Sequence, residues 1–140
     1  MTYLLDTNTC IHYLNGTSKA IRRHIESIHP HEIVVCSVVK AELFYGAHNS
    51  LYPQANLEKQ HTFLDRFVSL PFDDLAAEVY GRIRARLKKA GQLIGPNDLL
   101  IASIAVSRGC ILVTHNTRKF RRITELEIED WEVTPRLKLY

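Results

Sequence analysis

Apolar residues fall along the chain in two rhythms. Short aliphatic runs stand at 3–5 (Tyr-Leu-Leu), 33–36 (Ile-Val-Val-Cys) and 111–114 (Ile-Leu-Val-Thr), with weaker ones at 68–71 and 131–134. Such runs predict strands. The stretches 7–14, 18–28, 37–49, 54–67, 75–90 and 98–108 carry helical signals. In the fifth, Ala76, Val79, Tyr80, Ile83 and Leu87 recur at the spacing of one helix face. Ser37 and Asn97 suit helix N-caps, with Pro96 ahead of the second, and Arg108-Gly109 reads as a helix stop. Continuous apolar strands alternating with helices predict an α/β fold, a mostly parallel central sheet with helices on both faces. No repeat or linker interrupts the pattern, so one domain is expected over 1–140.

Composition narrows the class. At 140 residues, 46% hydrophobic and 24% charged, the chain matches an ordinary globular domain and can bury a core unaided. Its three cysteines, Cys10, Cys36 and Cys110, are odd in number and widely spaced. That excludes a disulfide scaffold or zinc finger and predicts a reducing, cytoplasmic setting. The longest apolar runs, 33–39 and 99–106, are too short to span a bilayer, and the start MTYLLDTN lacks a basic n-region. No membrane association is expected.

Candidate chemistry lies where the predicted strands end. Ligands of doubly wound sheets bind outside the carboxyl ends of the strands. Asp6 follows the first strand, Ser37 the second, and His115-Asn116 the run 111–114. Glu42 lies a turn and a half into the third helix and Asp98 opens the last long one, both in apolar company. Singly, Asp6 or Asp98 could cap its helix and Glu42 could face water. Jointly they are harder to explain by stability. Two like charges about 4 Å apart repel by roughly 4 kcal/mol at an effective dielectric near 20. Oxygen ligands select hard cations such as Mg²⁺ or Mn²⁺. With those three acids set aside, twelve acids face eighteen bases, so a negative pocket sits in a positive frame. That suits a metal ion acting on a phosphodiester.

Four segments carry a family resemblance: YLLDTN at 3–8, SVVKAELFYGA at 37–47, IGPNDLLIASIA at 94–105 and LVTHNTRKF at 112–120. In order, spacing and length the chain resembles PIN-domain ribonucleases, in particular VapC-type toxins of bacterial toxin–antitoxin pairs. By that resemblance the fold is a single PIN-like domain, and Asp6, Glu42 and Asp98 match the metal-binding acids. Asn116 falls at a fourth acidic position, keeping an oxygen but losing a charge, and Thr114 matches a hydroxyl near the metal. The resemblance implies endonucleolytic cleavage of RNA with Mg²⁺, for which Mn²⁺ substitutes. It implies a cognate VapB-like antitoxin whose C-terminal tail lies over the active-site groove, and a homodimer. Asp6 and Asp98 are then the expected metal ligands, and Glu42 and Thr114 metal or water contacts. Either Asp98 or Glu42 orients or deprotonates the attacking water.

Basic residues cluster twice. Arg118, Lys119, Arg121 and Arg122 follow Asn116 in an expected loop and are the better RNA candidates. Arg82, Arg84, Arg86, Lys88 and Lys89 crowd one helix and could serve solubility or an acidic partner. Phe44, Tyr45 and Tyr13 are expected to pack in the core or at a dimer surface. Three rival readings remain at this point. A phosphotransfer enzyme using Asp6, of the haloacid-dehalogenase kind, wants an acid where Asn8 stands. A receiver domain wants paired acids after the first strand. A catalytically weak PIN-like binding module is separable only by assay.

Overall fold

The computed structural model describes residues 1–133. Five strands, β1 (Tyr3–Leu5), β2 (Ile33–Cys36), β3 (Val68–Leu70), β4 (Ile111–Val113) and β5 (Ile128–Glu129), form one parallel sheet. Seven α-helices are interleaved: α1 (Thr7–Asn15), α2 (Lys19–Ser27), α3 (Ser37–His48), α4 (Pro53–Leu64), α5 (Asp74–Lys89), α6 (Pro96–Arg108) and α7 (Thr117–Phe120). Every residue of β2 and β4 is buried, which requires cover on both faces of the sheet.

The strand order is β3-β2-β1-β4-β5. The chain therefore builds outward from β1 in one direction, then returns to the other side of β1 with β4. This places the topological switch point between β1 and β4, in register from Tyr3↔Ile111 to Leu5↔Val113. A crevice opens at such a point because the connections leave in opposite directions. The fold thus fixes the position of a site before any side chain is considered.

Local chemistry explains the helix limits. The Asp6 carboxylate accepts from Thr9 N–H at 2.8 Å and caps α1, and Gly16 ends that helix at φ 66°. Glycine is required there because other residues are strained in the left-handed region. Asp73 caps α5, and the same side chain pairs with Arg108 at the end of α6 (2.6 Å), tying the two packed helices. The buried stripe of α5 is Ala76, Val79, Ile83 and Leu87, with Tyr80 half-buried beside it.

Several expectations are corrected. Ser37 and Asn97 are not N-caps: Cys36 and Gly95 hold those positions, without side-chain caps, and Ser37 opens α3 while donating to Leu70 O. The fifth strand is not 131–134. Main-chain bonds from Leu112 N–H to Glu127 O and from Thr114 N–H to Glu129 O set it at Ile128–Glu129. Trp131 leaves the sheet to pack on Tyr3 and to stack on His24, and is 2% exposed, while residue 134 lies outside the described residues. Residues 117–120 are a short helix rather than loop. The fourth helix stops at Leu64, since Asp65 and Arg66 close it in a turn.

Candidate active site

Asp6 leaves β1 at the switch point and is 7% exposed. Its main-chain N–H donates to Val113 O at 3.1 Å, so the end of β4 holds it in place. Burial pushes the Asp6 carboxyl above its ordinary value; hydrogen bonds from Thr9 and Thr114 oppose that shift, and the charge of Asp98 adds to it. Among the described residues no basic side chain pairs with this carboxylate. Thr114, wholly buried, stands between two candidates: it lies beside Asp6, and its hydroxyl accepts from Asn116 N–H at 3.0 Å. Asn116 itself is exposed at the N-cap of α7.

Glu42 sits on α3 and is fixed by two donors. Thr7 Oγ1 donates to one carboxylate oxygen at 2.5 Å and Asn97 Nδ2 to the other at 3.4 Å. Neither is read from the sequence as a partner of Glu42, Asn97 being expected only as an N-cap, although both lie inside motifs quoted for the resemblance, DTN and PND. A hydroxyl and an amide at the starts of α1 and α6, with a carboxylate midway along α3, gave the only signal.

Asp98 lies in the first turn of α6, where the helix dipole favours a negative charge. It is not free. Lys119 Nζ, on α7, reaches it at 2.9 Å, both side chains being 33% exposed. A residue expected to meet flanking phosphates therefore points into the acid pocket as a built-in cation. Arg122 is also engaged, donating to the main-chain oxygens of Leu93 (3.0 Å) and Gln92 (3.5 Å). Arg118 and Arg121 stand exposed and unpaired among the described residues. Two members of the exposed basic cluster on α5 are engaged as well. Arg82 and Arg86 clamp Glu125, with shortest contacts of 2.9 and 2.5 Å, so their acidic partner is intramolecular.

Asp6 and Glu42 border neighbouring cavities, and Asp98 lines neither of them. Asp6 and Asn116 line a cavity of about 300 Å³ with Asn8, His12, His115 and Glu132. Glu42 lines the adjoining cavity of about 550 Å³, with Thr7, Asn8, Asn97 and the exposed Tyr45. Asn8 belongs to both. Of His, Cys, Asp and Glu side chains among the described residues, the trio whose ligand atoms lie within 4.8 Å of one another is His115, Asp130 and Glu132. The hydrogen bond that His115 donates to Asp130 raises the His115 pKa, with the charges of Asp130, Glu132 and Asp6 adding to it. Of the remaining aromatics, Tyr13 stacks on Phe63 and Phe44 on His61, half-buried, whereas Tyr45 is open to solvent. Cys10, Cys36 and Cys110 are free and buried, and no described helix is long and apolar enough to cross a membrane.

Comparison with known proteins shows the family. The PIN domain family pattern matches residues 3–126. The tRNA(fMet)-specific endonuclease VapC of Salmonella typhimurium is 40% identical over 131 residues, 94% of this chain and 98% of that protein. Ribonuclease VapC2 of Rickettsia felis is 37% identical over 133 residues, again 94% of this chain and 99% of its own. Among solved structures, the DNA-bound VapBC complex from Salmonella typhimurium matches with a TM-score of 0.88 at 40% identity, covering 94% of this chain and 98% of that one.

Proposed function

Since the chain belongs to the PIN domain family, we propose that its crevice is the active site of an endoribonuclease, the VapC-like toxin of a type II toxin–antitoxin pair. One observation carries the reading. Asp6 is a buried carboxylate at the switch point of the sheet, with Asp98 nearby and, among the described residues, no basic side chain against it. A charge so placed calls for a cation. The donors around it, the carboxylates of Asp6 and Asp98, the Thr114 hydroxyl and the Asn116 side-chain oxygen, are hard oxygens that fit Mg²⁺, or Mn²⁺ in its place. Asp6 and Asp98 would hold the ion.

When bound, such an ion neutralises the scissile phosphate and acidifies a nearby water. The chain's own groups do the rest. Thr7 and Asn97 hold the two Glu42 oxygens in fixed directions, so Glu42 is placed to orient a water and take its proton. Asn8, between the two cavities, faces the substrate path. Arg118 and Arg121 supply charge for flanking phosphates, and Lys119, paired with Asp98, would release that carboxylate to a bound ion. The relatives solved as VapBC complexes support a VapB-like antitoxin as the protein partner. The groove between α1, α3 and α4, lined by Ile11, Leu14, Leu43 and Ala47, opens beside Glu42 and could seat such a chain over the site.

The test is metal dependence. Antitoxin-free protein is expected to cleave RNA in Mg²⁺ or Mn²⁺ and to stop in EDTA. Full activity in EDTA, unchanged by added metal, would refute the mechanism.

A further inference from the structure

Beside the acid pocket lies a cluster that the proposed reaction does not use. His115 follows β4, Asp130 and Glu132 follow β5, and His12 belongs to α1, so three neighbouring strands deliver them to one end of the sheet. His115 Nδ1 lies 2.9 Å from Asp130 Oδ2 and 3.1 Å from Glu132 Oε2. The other Glu132 oxygen lies 3.3 Å from His12 Nε2. The carboxylate of Glu132 thus stands between two imidazoles.

Further contacts orient two of the four groups. His12 Nδ1 bonds the Thr17 hydroxyl at 2.7 Å, which leaves Nε2 facing the cluster. Asp130 Oδ1 accepts from Glu132 N–H at 3.0 Å, which turns Oδ2 toward His115. Trp131, between the two acids, is anchored in the core and donates to Glu129 at 3.0 Å. Such second contacts are what fix ligand geometry at metal centres. Asp130 and Glu132 are mostly covered, their side chains 17% and 24% exposed, whereas His115 is open at 65%. An ion could enter from the His115 side.

We propose that His115, Asp130 and Glu132, completed by His12, form a transition-metal site of the zinc class that adjoins the carboxylate pocket. Two imidazole nitrogens with two carboxylates are the donor set of zinc and its neighbours, whereas Mg²⁺ prefers oxygen alone. Bonds near 2.1 Å at tetrahedral angles put ligand atoms about 3.4 Å apart. The observed 2.9 and 3.1 Å within the trio are close to that, whereas His12, which meets only the other Glu132 oxygen at 3.3 Å, would swing in to complete the set. The two carboxylates balance a divalent ion with both histidines neutral. The site shares its cavity with Asp6 and Asn116, so an ion there would add positive charge along the substrate path.

The proposal does not rest on the nuclease reading, and its test is read without RNA. The full chain, stripped with EDTA and dialysed, is titrated with Zn²⁺ by calorimetry and with Co²⁺ by visible absorption. The fluorescence of Trp131, the only tryptophan, gives an independent signal. One Zn²⁺ per chain is expected, with a Co²⁺ spectrum of the tetrahedral type. His115→Ala and the near-isosteric Glu132→Gln should each weaken Zn²⁺ binding at least about tenfold. Asp98→Asn should leave it within a factor of two. No Zn²⁺ binding, or binding within a factor of two of wild type in folded His115→Ala and Glu132→Gln, overturns the proposal. Binding that survives in both yet is lost in Asp98→Asn assigns the ion to the carboxylate pocket and overturns it equally.

Discussion

Replacing Lys119 by glutamine should strengthen Mg²⁺ binding rather than weaken it. The ammonium lies 2.9 Å from Asp98 Oδ2, so a cation using that oxygen must first displace it. Two unit charges at this distance attract by about 6 kcal/mol at an effective dielectric of 20. Both side chains are one-third exposed, however, and ion pairs open to water contribute only about 0–1 kcal/mol net. The upper end of that range corresponds to about a fivefold gain in Mg²⁺ affinity. Calorimetric titration of antitoxin-free Lys119→Gln against wild type measures it, with Lys119→Arg as a charge-preserving control expected to stay near wild type. The gain should shrink as salt is raised, because ions screen the pair that the metal must break. If Lys119 instead serves only flanking phosphates, KM for RNA rises while the Mg²⁺ titration is unchanged. An Mg²⁺ affinity equal to or below wild type would refute the competition argument.

Three further outcomes follow from the same geometry. Asp6→Asn should abolish most cleavage yet melt at or above wild type in EDTA at pH 7. Asparagine still caps α1, and the raised Asp6 pKa means that ionisation costs stability above the folded value, so the gap in melting temperature should close as pH falls through it. Glu125 is lowered to about 2, chiefly by the Arg86 hydrogen bond, so its contribution is full above 4.5 and lost as pH falls from there toward 2. Glu125→Gln should cost about 1 kcal/mol or less in urea unfolding at pH 7 and nothing near pH 2. Replacing Arg118 and Arg121 by alanine in a catalytically dead Asp6→Asn background should weaken RNA binding and flatten its salt dependence by about 0.7 in slope per lost contact, whereas an unchanged slope returns these residues to solvent.

Much of this protein is legible from its residues in order. The apolar runs at 3–5, 33–36 and 111–114 specify strands because a continuous aliphatic stretch of that length must be buried on both faces. Asp6, Glu42 and Asp98 stand out because acids in apolar surroundings demand a partner. What the order of residues does not encode is which partner each side chain meets. Asp6 is both the cap of α1 and the candidate ligand, so the alternatives weighed for it are one geometry. Lys119 reads as part of a basic run, yet the turn of α7 carries it to Asp98, 21 residues away. Arg82 and Arg86 likewise find Glu125 only because α5 packs beside the segment leading into β5. The fifth strand was misplaced because pairing at a sheet edge is chosen by the neighbour: β4 offers its free main-chain groups to Ile128–Glu129, and Trp131 contributes more to the core than to the ladder. That same choice sets Asp130 and Glu132 against His115. Periodicity and burial are properties of a segment, and the sequence alone determined them. The juxtaposition of charges from separate strand ends depends on strand order, which only the tertiary structure decided.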